Sequence, residues 1–247
     1  MLSILKNRFE QGYRTSGYPK TPVCLPARYR GRPELNMDAP VDVIHACADV
    51  CPQEAIDPVA KTLDMGRCMF CGDCERIADG RFVRFTQNYE IAVAKKTDLV
   101  TKGTLPDLAR HAKQHFKKYF GRSLQLRQVS AGGCNACEAD LNVLSTPFFD
   151  LARFGINFVA SPRHADGMVV TGPVSRNMKT ALLQTYEAIP EPKVVIAAGC
   201  CALSGGPFQG SPEITEGLDR LLPVDLFIPG CPPHPMTHLH ALLSFFK

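Results

Sequence analysis

The second half of the chain alternates short apolar runs with longer mixed segments. The apolar runs read LQLRQV, INFVA, GMVVTG, KVVIAA and VDLFIP, and the segments between them are long enough to form helices or connecting loops. Alternation of strands with helices is typical of a parallel sheet that is covered by helices on both faces. Residues 123–247 are therefore predicted to form an α/β domain.

The first half of the chain has a different pattern, which divides it into three segments. Residues 1–40 are rich in Pro, Gly, Arg and Tyr and lack clear periodicity, which predicts an extended arm. Residues 41–94 form a small domain that ends in FVRFTQNYEIAV, whose alternation predicts a β-hairpin. Within residues 95–122, apolar residues recur at helical spacing in TLPDLARHAKQHFKKYFG, which predicts a linker helix.

The composition excludes several classes of protein. The chain has 247 residues, 45% of them hydrophobic, yet no apolar run approaches the roughly 20 residues that cross a bilayer. The N-terminus lacks the apolar core of a signal peptide, so the 11 cysteines are expected to be reduced thiols in the cytoplasm. The net charge of +4 is not accompanied by interleaved basic and aromatic residues, so no nucleic-acid partner is expected. Motifs for binding nucleotides or dinucleotides are also missing from the sequence.

The first cysteine group has the spacing of a bacterial two-cluster ferredoxin. Such ferredoxins contain the run C-x2-C-x2-C-x3-C-P twice, and the last cysteine of each run ligates the cluster of the other run. Cys51 is followed by proline and therefore ends the first run. Counting back from it places Val41, Ile44 and Cys47 at the other three positions, so this run has kept two of its four cysteines.

The second run is complete except at its end. It contains Cys68, Cys71 and Cys74, and Ala78 stands where the fourth cysteine would be. With Cys51 these three cysteines make one full ligand set, whereas the other set has lost three of its four members. Because the losses fall on one set, the spacing predicts a domain that retains one [4Fe–4S] cluster and has lost the other.

The same residues leave alternatives open. Cysteines separated by two other residues also suit zinc. Three cysteines at this spacing, together with a cysteine that precedes proline, fit a [4Fe–4S] cubane better. Cys47 is expected to be a small buried residue, and Cys24 is expected to have a structural role. Val41 and Ile44 are expected to fill the space of the lost cluster with apolar packing.

The second cysteine group lies at the ends of predicted strands. Cys134 and Cys137 follow LQLRQV, the pair Cys200 and Cys201 follows KVVIAA, and Cys231 follows VDLFIP. Open α/β sheets gather ligands at the carboxyl ends of their strands, so these thiols are expected to converge at one edge. Four soft thiolates without histidine or carboxylate suit an iron–sulfur cluster.

Two details of this group concern its loops. Cys200 and Cys201 compete for one position, because a cubane seldom uses two adjacent cysteines when three others are supplied. We favour Cys201, since Ser204 and the glycines after it are expected to offer a hydroxyl and backbone N–H groups to the cluster sulfurs. Gly132 and Gly133 are expected to give the loop before the first pair its room.

Some other polar residues have open roles. Glu138 follows a cysteine of this group directly and is expected either to relay protons or to cap the helix that begins there. His234, His238 and His240 are expected to be surface or interface residues.

Four segments of the second half resemble a known family, and they read GGCNACE, SPRHADGMVVTGPVSRNM, AGCCALSGGPF and VDLFIPGCPPHP. They resemble the small, electron-transfer subunit of group 4 membrane-bound [NiFe]-hydrogenases, including formate hydrogenlyase, and are similar to the B subunit of respiratory complex I. The resemblance implies a flavodoxin-like α/β domain and makes Cys201 the third ligand, because it precedes the small-x-Ser-Gly-Gly stretch. Complex I B subunits carry adjacent cysteines in their first motif, whereas Cys134 and Cys137 are spaced as in hydrogenases.

The first half resembles another subunit of the same complexes. The segment ARYRGRPEL and the cysteine runs look like the ferredoxin-type subunit, which is normally a separate polypeptide with two clusters. The chain is therefore expected to be a fusion of a small α+β ferredoxin-like domain with the α/β domain. It is expected to hold two [4Fe–4S] clusters.

The resemblance implies a role in electron transfer without a catalytic residue on this chain. Its partners would be a [NiFe]-hydrogenase-type large subunit and other subunits of a membrane-bound complex, which would attach it to the cytoplasmic side of the inner membrane. Electrons would pass between the N-terminal cluster and the cluster of the α/β domain, which lies next to the large subunit. The alternatives are an electron-transfer module of a complex I-like quinone oxidoreductase without a NiFe site, and a zinc-stabilised scaffold.

Overall fold

The computed structural model describes residues 2–102 and 123–246. Of the linker helix predicted over residues 95–122, residues 103–122 fall outside the described residues, and the prediction is wrong for Val100–Thr101, which form a strand that pairs with residues of the first half. The helices and strands of the first half are α1 (Leu2–Gln11), β1 (Pro33–Leu35), α2 (Val41–Asp49), β2 (Ile56–Asp57), β3 (Thr62–Asp64), α3 (Asp73–Ile77), β4 (Val83–Phe85) and β5 (Val100–Thr101). Those of the second half are β6 (Leu124–Ser130), α4 (Ala136–Val143), β7 (Ile156–Phe158), β8 (Gly167–Thr171), α5 (Arg176–Ala188), β9 (Val194–Ala198), α6 (Cys200–Ser204), β10 (Leu226–Ile228) and α7 (Pro235–Phe246).

The five apolar runs of the second half form one parallel sheet, as predicted. The strand order is β10-β9-β8-β6-β7, and all neighbouring strands are parallel. Counted within the domain from the other edge, this order is 2-1-3-4-5, which is the flavodoxin-like arrangement. The strand order reverses between β6 and β8, so loops that follow the strands meet at one edge.

Alternate residues of the central strands belong to two separate apolar cores. Met168 and Val170 of β8 lie in one core, whereas Val169 between them lies in the other. Successive side chains of a strand point to opposite faces of the sheet, so both faces must be covered. Residues of α5 and α6 pack in the first core, and residues of α4 and α7 pack in the second. This explains why the strands read as continuous apolar runs.

The first half contains two small antiparallel sheets. β1 pairs with β4, and β2, β3 and β5 form the second sheet. The predicted hairpin over FVRFTQNYEIAV is wrong, because β4 pairs with β1 and Val93 forms an antiparallel bridge with Phe227 of β10. Both ends of this segment therefore find their hydrogen-bond partners in distant parts of the chain.

The two halves share a core and a sheet edge. The first of the two apolar cores continues from the α/β domain into the first half, where it includes Leu63 and Met65. At the edge strand, Val93 and Phe227 exchange backbone hydrogen bonds of 3.0 and 2.8 Å. Tyr18 and Ala92 of the first half lie in the second core. The first half thus contributes to the cores on both faces of the parallel sheet and extends its edge.

The arm begins with α1, a helix that the sequence analysis does not predict and in which no residue is buried. Further along, the backbone N–H of Ser16 donates to the carbonyl of Phe148 at 2.9 Å. The Arg153 guanidinium donates to the carbonyls of Ser16 and Tyr18, both at 2.9 Å, and Tyr18 is buried. This part of the arm lies along the α/β domain. None of the described helices is long and apolar enough to cross a bilayer.

Helix α7 carries a histidine that is fully buried. His238 has an exposed fraction of 0%, and neither of its ring nitrogens has a hydrogen-bond partner among the described residues. The expectation that His238 lies at the surface is therefore wrong, because α7 is buried on several sides between apolar neighbours. Burial, with a smaller effect of nearby His234, lowers the pKa of His238 to about 3.

We expect this histidine to make the protein less stable in mild acid. Below its ordinary pKa of 6.5, His238 takes up a proton in the unfolded chain but stays neutral in the folded chain. The free energy of unfolding should then fall by about 1.4 kcal/mol between about pH 7.5 and about pH 5.5. Urea unfolding of His238→Leu should lose this part of the pH dependence. Substitution of the exposed His45, as His45→Gln, should not change it, and an unchanged pH dependence in His238→Leu would contradict the prediction.

Candidate functional site

The second cysteine group lies at the carboxyl edge of the parallel sheet. Cys134 lies in the loop after β6, and Cys137 lies in the first turn of α4. Cys201 belongs to α6, which begins directly after β9, and Cys231 follows β10. The structure therefore brings together the four residues that the strand ends predicted.

Two glycines show how closely the sulfurs of this group approach the backbone. A Cβ atom at Gly199 would lie 2.6 Å from Cys137 Sγ, and one at Gly206 would lie 2.9 Å from Cys201 Sγ. Both positions have a positive φ, of 89° and 54°, which also favours glycine. From the sequence, the glycines after Ser204 are predicted only to donate hydrogen bonds, and Gly199 is not predicted to lie at the site. The signal for both is a glycine directly before or shortly after the adjacent cysteines.

The glycines that the sequence analysis does single out have other neighbours. A Cβ atom at Gly132 would lie 2.7 Å from Ser175 Oγ, and one at Gly133 would lie 3.1 Å from the Cα of Gly172. Their small size therefore allows the loop after β6 to pack against the loop after β8. This contact positions the loop. Neither glycine lies against a cysteine sulfur.

The thiols of this group influence one another's ionisation. Burial raises the pKa of Cys137, and the nearby Cys201, Glu138, Cys231 and Cys134 raise it further. Thiolates gathered in this way repel one another, so they are ionised together when a cationic group lies between them. The electrostatics of the group therefore suit a bound metal centre.

Cys200 and Cys201 have different surroundings. Cys200 is 1% exposed, and hydrogen bonds with Cys201 and Cys231 raise the pKa of its thiol. The same hydrogen bonds lower the pKa of Cys201 and lower that of Cys231 to about 7. The Cys200 thiol has a single proton, so it can donate to only one of these two sulfurs at a time. Cys200 is the buried member of the adjacent pair, whereas Cys201 is half-buried and more accessible. This arrangement supports Cys201 as the ligand and Cys200 as its neighbour.

The Ser204 hydroxyl does not point at a sulfur, as the sequence predicted that it would. Its hydroxyl donates to the carbonyl of Gly66 or of Cys200, each 3.0 Å away, so it is not directed at a sulfur. Gly66 belongs to the first half of the chain. The hydroxyl therefore ties α6 to the first half, because that half packs against α6.

Glu138 is buried directly beside the second cysteine group. Its exposed fraction is 5%, and Thr171 donates a hydrogen bond of 2.6 Å to its carboxylate. Burial raises the pKa of Glu138, but hydrogen bonds from Ser130 and Thr171 outweigh this effect, and the net shift is downward. The carboxylate is therefore ionised and links α4 to the ends of β6 and β8. No side-chain cap is formed at the N-terminus of α4.

The first cysteine group contains four cysteines that line one small cavity, and these are Cys51, Cys68, Cys71 and Cys74. Its wall also includes the apolar residues Ile56, Leu63 and Phe85. In two-cluster ferredoxins the last cysteine of each run ligates the cluster of the other run, and these four cysteines are the complete set that this pattern selects. Cys47 is not among the residues that line this cavity.

Backbone donors point at the sulfurs of this cavity. The N–H of Ala55 donates to Cys51 Sγ, and the N–H of Phe70 donates to Cys68 Sγ, each at 3.3 Å. Such bonds stabilise the thiolate form of a ligand. Burial nevertheless raises the pKa of Cys68, and it raises the pKa of Cys74 to about 12. A metal centre would supply the positive charge that keeps these thiols deprotonated.

The residues at the positions of the lost ligands are mostly buried. Ile44 and Cys47 are 0% exposed and Ala78 is 1% exposed, and the Cys47 thiol donates to the carbonyl of Cys74 at 3.3 Å. The expectation for Val41 is wrong, because this residue is 62% exposed. It is the first residue of α2 and points to solvent. Buried apolar residues therefore replace two of the three lost ligands, Ile44 and Ala78, and the retained Cys47 is buried as well.

Both donor sets have features of iron–sulfur sites. Each consists of cysteines alone, with backbone N–H donors at the first set and glycines against the sulfurs at the second. Among the residues that the structure describes, no group of three or more His, Cys, Asp or Glu side chains is placed to hold a single metal ion. Cys24 is exposed and belongs to neither set. The donor chemistry of both sets fits a [4Fe–4S] cluster.

Comparison with known proteins finds relatives over about half of the chain. The "Probable membrane-bound hydrogenase subunit mbhJ" of Pyrococcus furiosus is 44% identical over 126 residues, which are 51% of this chain and 75% of the relative. "Formate hydrogenlyase subunit 7" of Escherichia coli is 40% identical over 138 residues, 56% of this chain and 54% of the relative. An NADH-quinone oxidoreductase subunit of Roseiflexus sp. is 46% identical over 116 residues, 47% of this chain and 43% of the relative. The chain thus spans about half the length of the last two.

A family model matches the second half of the chain. The family described as "NADH ubiquinone oxidoreductase, 20 Kd subunit" matches residues 134–245, a range that contains all five cysteines of the second group. The relatives named above are subunits of hydrogenases and of an NADH-quinone oxidoreductase. The chain therefore belongs to the family of the 20 Kd subunit of NADH ubiquinone oxidoreductase, whose members are subunits of oxidoreductase complexes.

Proposed function

We propose that the chain is an iron–sulfur electron-transfer subunit of a membrane-associated [NiFe]-hydrogenase complex of the formate hydrogenlyase type. The observation that carries this proposal is the gathering of four cysteines at the sheet edge, within the region that matches the family. Cys134, Cys137, Cys201 and Cys231 would hold one [4Fe–4S] cluster. When bound, such a cluster takes up and releases single electrons.

The first half would be a ferredoxin-like domain with a second [4Fe–4S] cluster on Cys51, Cys68, Cys71 and Cys74. Their shared cavity and the N–H donors to sulfur support this assignment. The domain would retain one of two ancestral clusters, since Ile44 and its neighbours fill the place of the other. The two clusters would exchange electrons within one chain.

The catalytic nickel–iron centre would lie on a separate large subunit. After two cubanes are assigned, Cys24, Cys47 and Cys200 remain, and they form no paired C-x-x-C motifs that could bind nickel and iron. Cys134 and Cys231 are exposed, which supports a partner that covers the sheet edge. Other subunits of the complex would attach the chain to the membrane from the cytoplasmic side.

A complex I-like quinone oxidoreductase is the second candidate. The Roseiflexus relative is as similar to this chain as the two hydrogenase relatives, so overall identity does not separate the candidates. The spacing of Cys134 and Cys137 supports the hydrogenase, since the complex I subunits carry adjacent cysteines in this motif. Nickel-ligating cysteines in the large subunit of the purified complex would decide between them.

The first prediction of the proposed function concerns the metal content. Anaerobically purified protein should contain about eight irons and about eight acid-labile sulfides per chain, as expected for two [4Fe–4S] clusters. Iron, sulfide and zinc should be determined on the same sample. Stoichiometric zinc with little iron would contradict the electron-transfer function, and about twelve irons would show that the third cluster is still present.

The second prediction concerns the ligand assignment. Cys51→Ala and Cys201→Ala should each remove one cluster, because a cubane that loses a thiolate is destabilised. The matched controls Cys47→Ala and Cys200→Ala lie next to the two sites and should retain both EPR signals. Loss of the C-terminal cluster in Cys200→Ala, with retention in Cys201→Ala, would reverse the assignment of the two adjacent cysteines.

The third prediction concerns catalysis. The isolated chain with both clusters should be redox-active but should neither produce nor consume hydrogen, because it has no ligands left for nickel and iron. A hydrogen electrode should detect turnover once a large subunit has docked at the edge that carries Cys134 and Cys231. Turnover by the isolated chain, or a large subunit docked at the opposite edge of the sheet, would be inconsistent with the proposal.

A further inference from the structure

A cleft of about 280 Å³ is lined by residues of the loops that carry the two cysteine groups. Met69 and Phe70, which lie between Cys68 and Cys71, form part of its wall. Cys231 and the residues that follow it form another part. The two cysteine-bearing loops therefore face the same space.

Tyr29 of the arm contacts the segment that follows Cys231. Its hydroxyl lies 3.2 Å from the hydroxyl of Thr237, and its ring packs edge-on against His234 at a centroid distance of 5.1 Å. Burial raises the pKa of Tyr29, so the hydroxyl keeps its proton and can take part in this hydrogen bond. Tyr29 therefore ties the arm to one wall of the cleft.

Arg30, the next residue, contacts the other wall. A Cβ atom at Gly72 would collide with the guanidinium group of Arg30, so the two residues are in direct contact. Gly72 lies between Cys71 and Cys74, and its φ of 80° favours glycine. Arg30 therefore lies against the loop that carries the first cysteine group.

Gly31 anchors this part of the arm to residues 86–88 of the small N-terminal domain. Its backbone N–H donates to the carbonyl of Thr86 at 2.7 Å, and a Cβ atom there would collide with the carbonyl of Asn88. The Gln87 side chain donates to the carbonyl of Tyr29 at 3.0 Å. Three consecutive residues thus contact both cysteine-bearing loops and the backbone beside them.

We propose that Tyr29–Gly31 form a strap that sets the distance between the two cluster sites, with Tyr29 as the positioning residue. This inference rests on the proposed function, because it requires a cluster in each cysteine set. The shared apolar core holds the two halves of the chain together. The strap adds contacts at the residues next to the ligands on both sides, where a small shift changes the gap between the clusters most directly.

The magnetic interaction between the two reduced clusters tests this role. A dipolar interaction falls with the inverse cube of the distance, so it reports the gap, whereas the signal of each cluster alone reports whether that cluster is present. The full chain should be reduced at both sites and compared with Tyr29→Ala, Tyr29→Phe and Thr237→Val. Tyr13→Ala is the matched control, because Tyr13 lies in the same arm and is 88% exposed.

We expect Tyr29→Ala to decrease the splitting measurably, and by more than either hydrogen-bond variant, while iron content and the signal of each cluster stay unchanged. The decrease is partial because the shared core still holds the two halves together. Tyr29→Phe keeps the ring on His234 and should retain most of the splitting, and Tyr13→Ala should match the unaltered chain. If Tyr29→Ala does not fold, Tyr29→Phe and Thr237→Val should each show the same smaller decrease, since both remove one hydrogen bond.

Three results would overturn the strap. The first is an unchanged splitting in Tyr29→Ala, and in the two hydrogen-bond variants if it does not fold. The second is the loss of a whole cluster in Tyr29→Ala, which would make Tyr29 part of a cluster site. The third is an unaltered chain without clusters, which would contradict the proposed function itself and is recognised by its lack of iron.

Discussion

Parallel pairing of β6, β8, β9 and β10 is the constraint on which the candidate site depends. Parallel strands place their carboxyl ends at the same edge, so the loops after β6, β9 and β10 meet there although their cysteines are far apart in sequence. The pairing in turn requires apolar side chains on both faces of the strands, which the two cores provide. Gly199, directly after β9, then leaves room for the sulfur of Cys137.

The first half uses the same sheet to position its own cysteines. It contributes to both apolar cores of the α/β domain and pairs with the edge strand through Val93 and Phe227. Ser204 adds a hydrogen bond from α6 to Gly66, near the first cysteine group. The proposed transfer of electrons between two clusters would need their separation to be fixed. These contacts provide a structural basis for joining the two units in a single polypeptide.

Much of this arrangement could be predicted from the sequence, because strand patterns and cysteine spacing are local. The five parallel strands and both cysteine groups follow from such signals. The predictions that were wrong concern residues whose hydrogen-bond or packing partners are distant in the chain. The segment around Val93 alternates like a hairpin strand but pairs with Phe227, and the Ser204 hydroxyl meets a carbonyl of the other half. His238 resembles a surface histidine in sequence, and only the packing of α7 buries it.

Within the proposed function, the hydrogenase-type assignment rests on the spacing of Cys134 and Cys137, which determines the loop between them. Asn135 adopts a left-handed conformation with φ of 72°, a conformation that asparagine tolerates better than most residues. α4 begins at the next residue, so Cys137 lies in its first turn while Cys134 stays in the loop before it. Adjacent cysteines would have to approach a cluster without this intervening turn. The spacing therefore determines how the backbone surrounds the site, and a change of spacing would require a different loop.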